Sequence, residues 1–273
     1  MQRAVGSTLG KYRIEGVLRE TGLRIVYRAT HLERGAAVAI HTLAGHEHDA
    51  YGMRALLAEA MITARLRGPH TPRALDLERD GDASFIVTEP LDGWWLADAI
   101  AERGPLAEAE AIRWLGEALD ALCDLHALQF VHRDVKPGNM VVVEGSNGEP
   151  RLVLCGLGVV LRLDGPSWNE NGMMIGTPAY MAPEQIRSPK VDARADVWSW
   201  GVSLYQAMSG RLPFPAASAP EAALAILDRP HVPLTGVSAA IARIVDRCLE
   251  KDPSARFADA RELRDAMRPL QTS

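Results

Sequence analysis

Val131-His132-Arg133-Asp134-Val135-Lys136-Pro137-Gly138-Asn139 is the stretch whose reading decides this chain. Its parts make chemical sense together: Asp134 supplies a carboxylate, Lys136 an amine and Asn139 a side-chain amide, so that one loop places an acid, a base and an amide around a single reaction. The apolar run Met140 to Val143 follows directly. Any one of these residues alone would be an ordinary surface-loop residue. The ordered set argues against a chance turn.

Composition limits the alternatives. At 273 residues and 47% hydrophobic content, the chain is large enough to bury a substantial core. A net charge of −5, with acidic and basic residues interspersed, leaves no basic stripe for nucleic acid and no polybasic membrane anchor. No window approaches the roughly 18 apolar residues of a membrane span. The start, MQRAVGSTLGKYR, lacks the apolar core of a signal peptide, so a cytoplasmic location is expected. Cys123, Cys155 and Cys248 are odd in number, widely spaced and set among apolar residues, which reads as reduced core thiols. Only four of the 30 basic residues are lysine, leaving few candidates for any role that needs one.

The opening stretch resembles the catalytic loop of protein kinases, H-R-D-x-x-x-x-N, with the lysine of the Ser/Thr branch two residues after the aspartate. The resemblance implies that Asp134 would orient the attacking hydroxyl, Lys136 would steady the transferred phosphoryl group and Asn139 would hold magnesium. Downstream, Gly176-Thr177-Pro178-Ala179-Tyr180-Met181-Ala182-Pro183-Glu184 is similar to the family's G-T-x-x-Y-M-A-P-E, and Asp196-Val197-Trp198-Ser199-Trp200-Gly201 to its D-x-W-S-x-G. By the same resemblance Asp196 would tether the catalytic loop, and Glu184 would pair with Arg256. The likeness runs from Leu9 to Met267, and the motifs are similar to those of bacterial Ser/Thr kinases. It implies an α+β, two-lobed kinase fold: a β-rich N-lobe over residues 9–91 and a mainly helical C-lobe over 92–268, together one domain, 9–268, that ends about where the chain ends.

The first strands are expected at Tyr12 to Leu18, Ile25 to Thr30 and Ala37 to Ile40, and the following helix at Met53 to Leu66, from their β-rich and helical patterns. Glu108 to Leu128 reads as a buried helix leading into the catalytic loop. Phe85 to Gly93 resembles the fifth strand and hinge, with Thr88 as gatekeeper and Glu89 and Leu91 offering backbone to adenine. Val26 and Ala39 would roof that adenine slot and Val141 would floor it. Trp94 and Trp95 follow; either Trp95 fills the ribose pocket or both indoles simply pack.

Three parts of the implied nucleotide site depart from the family. The phosphate-covering loop G-x-G-x-x-G-x-V is here Arg19-Glu20-Thr21-Gly22-Leu23-Arg24-Ile25-Val26, with Arg19, Thr21 and Arg24 at the glycine positions. Side chains stand where phosphate oxygens should approach bare backbone. Val38-Ala39-Ile40-His41 matches V-A-I-K except that His41 replaces the lysine, leaving Glu59 in place without its usual partner. Leu154-Cys155-Gly156 stands at Asp-Phe-Gly, and a leucine cannot coordinate a hard cation that requires oxygen ligands. Between Val159 and Gly176 the only phosphorylatable hydroxyl is Ser167. His41, His46 and His48 with Asp49 suggest zinc at first sight, but histidines in a polar loop without a closed ligand set are usually solvated.

The resemblance with these departures implies a pseudokinase that regulates or scaffolds a protein partner, an active kinase or its substrate, and binds no cofactor or only ATP without magnesium. Two alternatives stay open. One is an atypical active Ser/Thr kinase in which Arg24 replaces the missing lysine, as a lysine at that third glycine position does in with-no-lysine kinases. The other is a metal-independent nucleotide sensor. In the pseudokinase reading Arg24 or Arg19 would meet Glu59 or Asp134, an internal ion pair standing in for the ligand.

Overall fold

The computed structural model of the chain describes residues 3–20, 24–43, 50–81, 83–145, 148–163, 176–188 and 191–271. It divides into two compact units, Met1–Arg67 with Thr71–Asp92 and Gly68–His70 with Gly93–Ser273.

The first unit is a six-stranded antiparallel sheet with one helix. Its strands are β1 (Thr8–Leu9), β2 (Tyr12–Glu20), β3 (Arg24–His31), β4 (Ala37–Leu43), β5 (Ala74–Asp80) and β6 (Ala83–Thr88), in spatial order β1-β2-β3-β4-β6-β5. Alternation decides which side each residue takes: along β3, Ile25, Tyr27, Ala29 and His31 are buried while Arg24, Val26, Arg28 and Thr30 lie on the other face. The buried set joins Leu9, Tyr12, Ile14, Val38, Ile40, Phe85 and Val87 in one core. β2 carries two register shifts, between Ile14 and Gly16 and between Val17 and Arg19, and irregularities of this kind add twist. The sheet curls until its two edges meet. Lys11 reaches Glu78 at 2.7 Å and Asp76 at 3.2 Å, the Tyr12 hydroxyl donates to Glu78 at 2.9 Å, and Gly10 N donates to Asp80 at 2.9 Å.

Helix α1 (Ala50–Thr63) packs Leu56 and Ala60 against Ile86 and Leu43 on the outer face of the sheet. It starts and ends earlier than the apolar periodicity predicts. The reason at its C-terminus is local: Thr63 Oγ1 donates to Glu59 O at 2.7 Å, and Arg65 N bonds three residues back to Ile62 O, so the last turn tightens before Leu66.

The second unit is mainly helical. A three-stranded sheet of β7 (Gly93–Trp95), β9 (Met140–Glu144) and β10 (Pro150–Leu154) runs in the order β10-β9-β7, and a two-stranded pair joins β8 (Phe130–Val131) to β11 (Leu161–Arg162). The helices are α2 (Leu96–Arg103), α3 (Glu108–Ala127), α4 (Pro183–Arg187), α5 (Arg194–Ser209), α6 (Ala219–Asp228), α7 (Ala239–Cys248) and α8 (Ala260–Gln271). α5 is the central pillar, with Trp198, Trp200, Val202 and Leu204 fully buried. Trp200 satisfies its indole N–H on Leu115 O of α3 at 2.8 Å. Gly201 lets α7 approach: a Cβ there would lie 2.5 Å from that of Cys248. A bidentate pair between Arg256 and Glu184, at 2.8 and 2.9 Å, closes the segment after α4, and the same guanidinium caps the carbonyls of Arg194 and Glu250. Residues 68–70 belong to this unit because Leu154 N donates to His70 O at 2.9 Å and a side chain at Gly68 would strike Asp124. Among the described residues no helix is long and apolar enough to cross a membrane.

Candidate active site

The loop between β8 and β9 is held from beneath by Asp196 of α5, which is completely buried. Its Oδ2 accepts from His132 N at 2.7 Å and from His126 Nε2 at 2.8 Å, and its Oδ1 accepts from Arg133 N at 2.8 Å. Ala260 N donates to His126 Nδ1 at 3.2 Å, so His126 is the tautomer that carries its proton on Nε2. Burial alone would raise the Asp196 carboxyl, but the His126 hydrogen bond, the nearby imidazoles and the backbone donor hold it below the usual carboxylate range. These bonds stabilise a strained backbone, since Arg133 has φ 66°, the left-handed region that a non-glycine residue rarely occupies. The Arg133 side chain turns inward and donates Nε to Val159 O at 2.6 Å.

Above that support Asp134, Lys136 and Asn139 converge. Asp134 Oδ2 accepts from Lys136 Nζ at 2.7 Å and from Asn139 Nδ2 at 2.9 Å, while Oδ1 accepts from the Thr177 hydroxyl at 2.7 Å. Lys136 also bonds Thr177 Oγ1, and Asn139 Nδ2 donates to Asp134 O at 2.7 Å. Thr177, quoted in the sequence only as part of a motif, is thus a member of the cluster, and its place directly after Gly176 was the available signal. His132 was likewise missed. It donates Nε2 to Cys155 O at 2.9 Å and accepts from Asp134 N at 3.3 Å, joining the loop to the end of β10.

The segment beside Asn139 provides no metal ligand. Leu154 pairs with Met140 in the β9–β10 ladder and is 1% exposed; Cys155 N donates to Asn139 O at 2.8 Å. Gly156 takes φ 84°, and a Cβ there would lie 2.6 Å from the Asn139 amide nitrogen. The position set against the Asn139 amide is therefore Gly156 and not Leu154, which is buried in the ladder; a hard divalent cation needs several oxygen ligands, and Leu154, Cys155 and Gly156 offer no side-chain oxygen. The residues present do not fit a magnesium ion held in the family's manner.

In the first unit a second polar cluster forms. Arg24, the first residue of β3, ion-pairs with Glu59 of α1. His41 of β4 places Nδ1 3.8 Å from Glu59 and Nε2 3.0 Å from Thr88 Oγ1, whose hydroxyl also reaches Glu89 O at 3.1 Å. Burial and then the Arg24 charge push the imidazole down to about 4, so it is neutral at pH 7. Between the two arginines and two carboxylates left open by the sequence, the pair formed is Arg24 with Glu59. Arg19 stands opposite Val26 in the β2–β3 ladder.

Of the expected adenine slot, Val26, Ala39, Thr88, Glu89 and Leu91 belong to the first unit. Val26 pairs with His41 and Ala39 with Thr88, while Glu89 N donates to Arg73 O at 3.1 Å. Val141 belongs to the second unit, fully buried in β9 between Trp95 and Val153. Trp94 packs edge-on against Trp114, with ring centroids 5.9 Å apart. Thr21, Gly22, His46, His48, Asp49 and Ser167 lie outside the described residues.

The protein kinase domain model matches residues 20–267. The chain belongs to the protein kinase family. Its relatives include bacterial proteins. It is 35% identical over 273 residues to the serine/threonine-protein kinase pkn3 of Myxococcus xanthus, covering 94% of this chain and 49% of that protein. It is 32% identical over 268 residues to pkn2 of the same organism, covering 94% and 32%, and 30% identical over 255 residues to PknL of Mycobacterium bovis, covering 92% and 63%. The chain therefore spans between 32% and 63% of the length of these relatives.

Proposed function

We propose that this kinase domain is a pseudokinase that binds and regulates a protein partner, an active kinase or its substrate, in the cytoplasm. One observation supports the reading: beside a well-formed Asp134, Lys136 and Asn139 cluster, the position that faces the Asn139 amide is Gly156, and neither it nor Leu154 and Cys155 before it carries a side-chain oxygen for a metal. Phosphoryl transfer depends almost wholly on positioning and on electrostatic stabilisation of the transferring group. Loss of the metal carboxylate, of the strand lysine and of the loop glycines removes three such contributions at once. The catalytic loop, by contrast, is fully supported by Asp196, which suits a domain retained for its shape. Cofactor use follows the same line: none, or ATP without magnesium.

A second reading draws on the Arg24–Glu59 pair, which puts a guanidinium where the family has a lysine ammonium. In that case the domain, like its relatives named as serine/threonine-protein kinases, transfers phosphate from ATP. A thermal-shift titration with ATP, with and without magnesium, separates the readings. The pseudokinase proposal expects no shift, or one that EDTA leaves unchanged; a shift that requires magnesium supports the enzyme.

A further inference from the structure

Glu59 has kept its place on α1, but its cation now comes from a different part of the sheet. Arg24 is the first residue of β3, opposite Leu43, at the end of the β2–β3 hairpin where the chain passes from one strand to the other, whereas His41 lies in mid-β4, opposite Val26. Both side chains reach the same carboxylate, Arg24 as an ion pair and His41 at 3.8 Å. One carboxylate neutralises one cation. With Arg24 in place, a charged group at position 41 would be buried beside a like charge with the Glu59 carboxylate already taken, and the neutral His41, engaged with Thr88, fits that requirement.

We propose that the Arg24–Glu59 pair is a relocated anchor that couples the end of the β2–β3 hairpin to α1, so that displacement of the hairpin end displaces the helix. An anchor in mid-strand on β4 would hold α1 to the body of the sheet and leave the hairpin end free to move by itself. Here the hairpin end bears the helix directly. β2 is irregular close to that end, with a register shift between Val17 and Arg19, and such an irregularity bends the strand and interrupts its ladder locally. Among the described residues α1 also packs Leu56 and Ala60 against Ile86 and Leu43, so the ion pair acts beside an apolar contact. The coupling holds whether or not the domain transfers phosphate.

The test is a double-mutant cycle on Arg24→Ala and His41→Lys, read by hydrogen exchange of α1 peptides and by Tm. Arg24→Ala leaves Glu59 buried without its cation, and the expected result is at least tenfold faster exchange in α1 with a Tm drop of about 4–8 °C. His41→Lys alone is expected to lower Tm as well, because two cations then face one carboxylate. In the Arg24→Ala background the same change should raise Tm and slow α1 exchange, since the new ammonium takes over Glu59. That reversal of sign is the signature of a shared anchor. Should Arg24→Ala fail to fold, Arg24→Gln completes the same cycle. Exchange in α1 within twofold of wild type in the Arg24 variant, or additive effects of the two changes, would overturn the proposal.

Discussion

Replacing Asp196 with asparagine removes a charge and one acceptor oxygen from the bond network beneath the catalytic loop. The carboxylate accepts three hydrogen bonds in a completely buried position, two at Oδ2 and one at Oδ1. An amide keeps a single oxygen. Its less damaging orientation turns the NH2 toward Arg133 N, leaving one buried donor facing another, at about 1–3 kcal/mol. The two bonds that survive lose their charge assistance, roughly a further 1 kcal/mol. The sum of roughly 2–4 kcal/mol corresponds to a Tm lowered by roughly 5–15 °C at this chain length. Acid dependence supplies the sign. Because the folded carboxyl lies below its unfolded value, its contribution is present above about pH 4 and is lost as pH falls through the folded value. The asparagine variant should therefore lose less stability than the wild type between about pH 5 and pH 3. Calorimetry at several pH values is the assay. An asparagine variant that melts within about 2 °C of wild type at pH 7 would show that the strained Arg133 backbone is held by something other than Asp196.

Two more outcomes follow from the first unit and from the segment after β10. His41 is neutral when folded at about 4 against an ordinary value of 6.5, so the folded state binds fewer protons between those values and stability should fall as pH drops from 6.5 toward 4; His41→Gln should flatten that decline in denaturant titrations. His41→Lys alone should leave phosphate transfer at background, whereas adding Gly156→Asp, checked for folding by its melt because Gly156 has φ 84°, is the change that puts a carboxylate against the Asn139 amide. Turnover from the single change would show that the metal position is not the limiting defect.

The second unit was legible because its signals are contiguous. The catalytic loop and the stretches from Gly176 to Glu184 and from Asp196 to Gly201 each carry several residues in fixed order, and through their resemblance they pointed to the Asp196 tether and the Arg256–Glu184 pair seen in the structure. The curled closure of the first unit was not legible. It depends on Lys11 and Tyr12 meeting Asp76 and Glu78, side chains more than sixty positions apart that look like ordinary surface charges in the sequence. The choice of Arg24 as the partner of Glu59 lies between these cases. Alternation along β3 places Arg24 on the face opposite the buried core, but which carboxylate it meets depends on where α1 lies across the sheet. Thr177 and His126 were missed for the same reason: each acts through a partner more than forty residues away.

Phosphate transfer is read directly by incorporation of radiolabel from γ-labelled ATP, with magnesium or manganese, into the domain itself and into a generic protein substrate, with Asp134→Ala as the control. Incorporation no greater than in the Asp134→Ala protein is expected. Metal-dependent incorporation that disappears in Asp134→Ala would contradict the pseudokinase proposal and establish the domain as a working kinase despite the missing carboxylate beside Asn139.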